Sequence, residues 1–315
     1  MTRENNHSTT PLPSKIVLVG SKEHQQGVRD ALCFIKDDLK QVLAHISSLT
    51  IKVNLVVTRT AMSHGRELAT TPVNAVRSFI DFITPFYSGE IVIAESSTMG
   101  NTKAGFRIYG FTKLAKENPK IKLFDLKDDE VVDKELVFPG GKITLPVSKT
   151  LMNTPFLVSI ARPKTHDSVL VTAAIKNVLV GSIRGNSKRE SLHTQGAFIH
   201  HILTAIAEYV YPDLAIIDGT IGMEGDGPIF GHKINSGWAV ASFDALGADS
   251  LAAYLMGFDP NVIGYLKLLH HKGFGLLYPD HHLKVTGEKP ELHQIPYQPH
   301  HQINKMIMEW NQVNC

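Results

Sequence analysis

Residues 162–193 contain the side chains best suited to chemistry. The candidates are Lys164, His166, Lys176, Asn177 and His193. Lysines suit a carboxylate or phosphate ligand, and the histidines suit acid–base catalysis or divalent-metal binding. Lys176 follows the apolar run 173–175, where burial would lower the pKa of its amine and make it a base or nucleophile. We expect Lys176, His166 and His193 to be catalytic, with the two histidines as alternative metal ligands, and Lys164 and Asn177 to bind the ligand.

A glycine-rich segment, residues 218–228, supplies carboxylates. Asp218 ends an apolar run, and Glu224 and Asp226 follow within a loop whose glycines permit close approach of a ligand. These carboxylates are suited to orienting a histidine, binding a metal or acting as a base. We expect Glu224 to be catalytic and Asp218 to bind the ligand. The chain has neither a dinucleotide-binding glycine fingerprint after its first strand nor a Walker A motif.

Three further candidates lie in the first half of the chain. Lys52 and Asn54 interrupt an apolar run, and Glu95 ends another. A buried amide or charge needs polar partners, so we expect all three to bind the ligand. Thr71, just before Pro72, is predicted to be a helix N-cap.

The sequence also has four pairs of adjacent histidines. They are His200-His201, His270-His271, His281-His282 and His300-His301. Neighbouring residues on a helix point in different directions, so the spacing is poor for chelation. We expect these histidines to be solvated surface residues. For the candidate site in residues 162–193, the alternative is that several of its cations are also solvated surface charges.

Short apolar runs alternate with amphipathic stretches, a rhythm typical of an α/β fold. We predict two lobes, each with a mostly parallel sheet flanked by helices, and a cleft between them. The lobes would cover residues 15–150 and 151–290. A disordered leader, residues 1–14, would precede them, and a His- and Gln-rich tail, residues 291–315, would follow.

Composition restricts the function classes. Lys and Arg total 32 against 30 Asp and Glu, so a nucleic-acid partner is not expected. The cysteines, Cys33 and Cys315, cannot by themselves bind an iron–sulfur cluster, and they favour a reducing, cytoplasmic location. The chain has no apolar run of bilayer length and no apolar leader, so neither membrane insertion nor secretion is expected.

The motifs taken together resemble the DUF362 family over roughly residues 15–290. The matching blocks are KVNLV, ATTPVNAV, VIAESS, RPKTHDSVLVTAAIKNVLVGSI, IIDGTIGMEGDGPIFG and ASFDALGADSLAAYLMG, together with His193. The resemblance implies a globular α/β protein. Many members carry an added ferredoxin-like module whose cysteine pattern is missing here, which suggests a separate ferredoxin-type partner.

The order His166, Lys176, His193 is also similar to a constellation in nickel-pincer lactate racemases. That resemblance implies a covalently attached pyridinium-derived cofactor on Lys176, with the histidines as nickel ligands or bases. The sequence departs from that family because Ala173-Ala174-Ile175 replaces a glycine-rich run.

The leading hypothesis is an enzyme that acts on a small anionic metabolite by acid–base or redox chemistry, with or without a divalent metal. The alternative is a non-catalytic binding or maturation partner that handles a cofactor, metal or electrons with a ferredoxin-type protein.

Overall fold

The computed structural model describes residues 15–56, 58, 66–185 and 192–313. The predicted disordered leader lies outside the described residues. The strands are β1 (Ile16–Gly20), β2 (Ser48–Lys52), β3 (Glu90–Glu95), β4 (Ile121–Asp125), β5 (Val131–Phe138), β6 (Gly141–Ser148), β7 (Leu157–Ala161), β8 (Lys164–His166), β9 (Leu170–Thr172), β10 (Leu214–Gly219), β11 (Gly222–Glu224), β12 (His232–Ile234), β13 (Trp238–Ser242) and β14 (Val285–Gly287).

The helices pack on both sides of the strands. They are α1 (His24–Cys33), α2 (Lys36–Leu43), α3 (Val73–Ile83), α4 (Thr102–Ile108), α5 (Phe111–Glu117), α6 (Lys149–Asn153), α7 (Ala174–Gly181), α8 (Ile199–Ala207), α9 (Ala245–Leu255), α10 (Gly264–His271) and α11 (Ile303–Val313). None of the helices described has the length and apolar character needed to cross a membrane.

Within the described residues, the largest sheet has eight strands in the order β14-β1-β13-β10-β7-β2-β3-β4. Only β13 among them runs antiparallel to its neighbours. The predicted α/β class, with a mostly parallel sheet flanked by helices, is confirmed. The division into two lobes near residue 150 stays a prediction, and this sheet contains strands from both sides of it.

Strand β1 shows why the large sheet is stable. Ile16 and Leu18 pack into the apolar cluster that includes α7, α8 and α9, whereas Val17 and Val19 pack into the cluster with α1 and α3. Alternate side chains are therefore buried on both faces, as expected for strands between two helical layers. Each such side chain contributes roughly 1.5–3 kcal/mol of burial free energy.

The topology directs polar residues to one edge of this sheet. Strands β2, β3 and β7 are parallel neighbours, so their carboxyl ends lie side by side. After β7 the chain enters a small sheet of order β12-β11-β8-β9, and α7 follows β9 directly. The carboxyl edge of an open α/β sheet is where ligands usually bind.

Candidate functional site

A cleft of about 820 Å³ opens at this carboxyl edge. Eight residues selected from the sequence line it: Lys52, Asn54, Glu95, Lys164, His166, Lys176, Asn177 and His193. Its other polar lining residues include Asp167, Ser168, Asp226, His300 and His301. The cleft therefore gathers groups that are up to 250 positions apart in the chain, from Lys52 to Gln302.

Lys52 and Glu95 form a buried ion pair at the ends of β2 and β3. Lys52 Nζ lies 2.7 Å from Glu95 Oε2 and donates to Asn177 Oδ1 at 3.2 Å. Glu95 also accepts from the backbone N–H groups of Leu55 and Ser96. Burial lowers the pKa of Lys52, and Glu95 opposes that shift. This charge is compensated inside the protein, so Lys52 is poorly suited to neutralising a ligand.

Asn177 connects α7 to the large sheet. Its Nδ2 donates to the Lys52 backbone oxygen at 3.0 Å and to Ser159 Oγ at 3.1 Å, while its Oδ1 accepts from Lys52. The amide thus makes three hydrogen bonds to the protein. These bonds position the helix at the cleft and satisfy a buried polar group.

Lys176 and His166 form a close pair of titratable groups in the cleft wall. Lys176 Nζ lies 2.7 Å from His166 Nε2, and the two residues are 5% and 3% exposed. Burial lowers the pKa of the Lys176 amine to about 8. Burial, with the neighbouring Lys176 charge, lowers the pKa of His166 to about 3. The imidazole is therefore neutral at neutral pH, while the amine exchanges its proton near that range.

The other nitrogen of His166 links the state of the amine to the imidazole tautomer. His166 Nδ1 lies 3.0 Å from Asp167 Oδ1 and 3.1 Å from the backbone nitrogen of Ser168. When Nδ1 carries the proton it donates to Asp167, and Nε2 accepts from charged Lys176. When Nε2 carries the proton it donates to neutral Lys176, and Nδ1 accepts from Ser168. Protonation of Lys176 thus requires the tautomer with its proton on Nδ1, because an ammonium group cannot accept a hydrogen bond.

Asp249 of α9 fixes the start of the helix that carries Lys176. Its two carboxylate oxygens accept from the N–H groups of Ala174 at 2.8 Å and Ile175 at 3.0 Å. Ala173, the N-cap residue of α7, supplies no side-chain cap. Asp249 therefore satisfies N–H groups that a helix leaves unpaired in its first turn.

Lys164 is a second buried amine, placed on β8. Its Nζ donates to the Ala69 backbone oxygen at 3.4 Å, and the residue is 2% exposed. Burial, followed by the charges of Lys176 and Arg162, lowers its pKa to about 7. Within the part of the chain that the structure describes, neither Lys164 nor Lys176 has an ion pair with a carboxylate.

His193 lies at the exposed side of the cleft. Its Nδ1 is 3.2 Å from Ser168 Oγ, and its ring is parallel to that of His166 with centroids 6.1 Å apart. Nε2 of His166 already contacts Lys176. The proposal that these two histidines share a metal stays a prediction.

Asp218 and Glu224 do not line the cleft. Asp218 is fully buried and lies 2.6 Å from His24 Nδ1. Glu224 accepts a hydrogen bond at 2.7 Å from the backbone N–H of Gln298. In this structure Asp218 joins β10 to the start of α1, and Glu224 joins the end of β11 to the C-terminal segment. The roles predicted for them in ligand binding and catalysis stay predictions.

Asn54 lines the cleft, and its backbone N–H is bound by the hydroxyl of Thr71. Thr71 Oγ1 accepts from the Asn54 backbone N–H at 2.9 Å and donates to the Ile160 backbone oxygen at 2.8 Å. The N-cap residue of α3 is Pro72, so the predicted N-cap role of Thr71 is wrong. Thr71 instead joins β7 to the segment after β2, which carries the cleft residue Asn54.

Two members of the adjacent histidine pairs are buried, contrary to expectation. His200 is 1% exposed, and its Nδ1 accepts from the Tyr265 backbone N–H at 3.0 Å. His300 is 7% exposed and lies in the cleft. The expectation of solvated surface is therefore wrong for these two, because tertiary contacts cover them.

Comparison with known proteins decides the family. A family model described as a domain of unknown function, DUF362, matches residues 49–254. The chain belongs to the DUF362 family. This match includes the cleft residues from Lys52 to Phe230, whereas His300 and His301 lie beyond the matched range.

Individual relatives of this DUF362 protein are distant. A thylakoid-associated protein of Synechocystis sp. is 26% identical over 224 residues, which cover 68% of this chain and 64% of that protein. A Thermotoga maritima protein of known structure has a TM-score of 0.48 at 12% identity, covering 75% of this chain and 59% of its own. The lactate racemase apoprotein of Thermoanaerobacterium thermosaccharolyticum has a TM-score of 0.44 at 14% identity, covering 76% and 57%. The chain spans less than two thirds of the length of each.

Proposed function

We propose that this DUF362 protein is an enzyme that binds a small organic anion in the cleft and exchanges a proton with it through Lys176 and His166. The observation that carries the proposal is the 2.7 Å contact between Lys176 Nζ and His166 Nε2 in the wall of a cleft of about 820 Å³. A cavity of this size accommodates a metabolite-sized molecule.

The charges of the cleft favour an anion. Lys52 is neutralised by Glu95, but Lys164 and Lys176 have no such partner among the described residues. A carboxylate or phosphate placed between these two amines would supply the missing negative charge. It would also raise the pKa values of both amines, because an opposite charge favours their protonated form.

The Lys176–His166 pair supplies the acid–base chemistry. A pKa of about 8 lets the amine accept and return a proton near neutral pH. Neutral Lys176 accepts a proton from the ligand, and the new ammonium group donates to the unprotonated Nε2 of His166. The proton of the imidazole is then on Nδ1, where it donates to the Asp167 carboxylate. The pair therefore stabilises both protonation states of the amine.

Several expectations rest on the sequence alone. They are a cytoplasmic location, a divalent metal at His166 and His193, and a separate ferredoxin-type partner. The pincer cofactor on Lys176, which the racemase resemblance implies, is also an expectation from the sequence alone. Lys176 lines the cleft, as covalent attachment requires, and its amine lies against His166 Nε2. The alternative function, a non-catalytic partner that handles a cofactor or electrons, requires no proton transfer to a small anion.

A ligand screen followed by isotope exchange tests the proposal. Thermal-shift measurements with a panel of carboxylates and phosphate esters would identify an anion that stabilises the protein. NMR in D₂O would then follow deuterium incorporation at a carbon of that anion. We expect Lys176→Met to abolish incorporation and the exposed Lys142→Met to leave it unchanged. Binding without incorporation in the wild type would favour the non-catalytic alternative.

A further inference from the structure

We propose that Asp226, His300 and His301 form a binding site for one divalent transition-metal ion on the wall of the cleft. Their potential ligand atoms all lie within 4.8 Å of one another. All three residues line the same cleft as Lys176. Two imidazoles and one carboxylate are a donor set that suits zinc, cobalt, nickel or iron(II).

The distances are close to those that a shared ion requires. His301 Nδ1 lies 2.8 Å from Asp226 Oδ1, and His300 Nε2 lies 3.8 Å from the same oxygen. Two ligand atoms that each lie about 2.1 Å from one ion are about 3.0–3.4 Å apart when the ligand–ion–ligand angle is 90° or tetrahedral. Shifts of less than about 1 Å would therefore complete the site.

The backbone holds these residues in place before any ion binds. The Gly225 N–H donates to the Gln298 oxygen at 2.7 Å, and the Gln298 N–H donates to Glu224 at 2.7 Å. The His301 backbone N–H also donates to Asp226, at 3.2 Å. The segment that carries both histidines is thus fixed to the loop that carries the aspartate. Such preorganisation reduces the entropic cost of assembling the ligands.

Ion binding would require each imidazole to move its own proton from one ring nitrogen to the other. His301 now donates from Nδ1 to Asp226, so ligation through Nδ1 places its proton on Nε2. His300 Nδ1 now accepts from the Gln302 N–H, so ligation through Nε2 places its proton on Nδ1 and removes that bond.

The chain contains a matched control. Among the described residues, Asp280, His281 and His282 are a second group of the same composition with ligand atoms within 4.8 Å. That group is more exposed, with His281 84% exposed, and it does not line the cleft. We expect it to bind the ion weakly, because no comparable backbone contacts fix two of its ligands against a separate element.

Titration with Co²⁺ alone tests the site, since cobalt bound by nitrogen and oxygen ligands absorbs visible light. We expect one Co²⁺ per chain, and a loss of affinity of about tenfold or more in His301→Ala and in Asp226→Asn. The double variant His281→Ala/His282→Ala should bind as the wild type does. His301 is 62% exposed, so its substitution should not prevent folding, which circular dichroism would check.

Three results would overturn the proposal. The wild type could fail to bind Co²⁺ at micromolar concentration, or the loss could follow the 281/282 variant. Alternatively, His166→Ala and His193→Ala could lose affinity for Co²⁺ while His301→Ala binds it normally. That result would assign the metal to His166 and His193. The first two results do not bear on proton exchange at Lys176, which the deuterium-incorporation experiment tests separately.

Discussion

Lys176 Nζ lies 2.7 Å from His166 Nε2, with both side chains buried beside the cleft. The contact joins α7 to β8, which are brought together by the short turn and strand between them. Asp249 fixes the start of α7, and Asp167 lies at the far nitrogen of the imidazole. The Lys176 amine is therefore held against an imidazole whose other nitrogen lies beside a carboxylate.

Anion affinity should depend on pH. Lys176 and Lys164 have pKa values near 8 and 7, so both lose charge as the pH rises through that range. Calorimetric titration with sulfate, whose charge is constant there, should show affinity falling as the pH rises through both values. Lys176→Met should remove the decrease in sulfate affinity near pH 8 and keep the decrease near pH 7. Equal affinity at low and high pH would show that neither amine holds the anion.

Lys164 should make the folding free energy depend on pH. Its folded pKa of about 7 lies below the usual 10.5, so between these values the unfolded chain binds more protons than the folded protein. Stability attributable to Lys164 therefore rises with pH across this window. We expect Lys164→Met to be more stable than the wild type below pH 7, on the order of 3 kcal/mol, and the difference to shrink towards pH 10.5. Urea unfolding across pH measures it, and a constant difference would contradict the buried-amine interpretation.

Removing the Asp249 cap should weaken both α7 and the site. Asp249→Ala leaves the N–H groups of Ala174 and Ile175 without their acceptor, which should cost about 2 kcal/mol or more. Asp249→Asn keeps one acceptor oxygen and should lose less. Chemical denaturation compares the two variants. Equal stability of Asp249→Ala and the wild type would show that the cap is not needed.

The Lys52–Glu95 pair should be strongly coupled. Lys52→Met leaves the buried Glu95 carboxylate without its cation and should destabilise the protein by about 3–5 kcal/mol. Glu95→Gln in the same chain removes that charge and should recover part of the loss. A double-mutant cycle by urea unfolding measures the coupling. Additive effects of the two substitutions would contradict a direct interaction.

Much of the cleft was predictable because parallel strands end at one edge. Glu95 and Lys164 follow apolar runs, and the fold brings the ends of those runs together. The apolar neighbours of Lys176 correctly indicated burial and a lowered amine pKa. These signals are local to single strands or helices, so the sequence alone carries them.

Other features depended on contacts between distant segments. Asp226 and His301 are 75 positions apart, and no local pattern indicates that they meet. Asp218 and Glu224 have the residue types of a site, yet their carboxylates bind His24 and the Gln298 backbone outside the cleft lining. A residue's type and its place at a strand end suggest chemistry, but the direction of its side chain follows from packing.

The most direct test of the central claim is NMR of ¹⁵N-labelled histidine and ¹³C-labelled lysine over a pH titration, with His166→Gln and Lys176→Met to assign the signals. We predict that Lys176 titrates near pH 8, and that the His166 ring nitrogens exchange their proton between Nδ1 and Nε2 with the same midpoint. The imidazole should stay neutral throughout this range. Titration of Lys176 near its ordinary value of 10.5, with an unchanged His166 tautomer, would contradict the coupled pair and the acid–base function built on it.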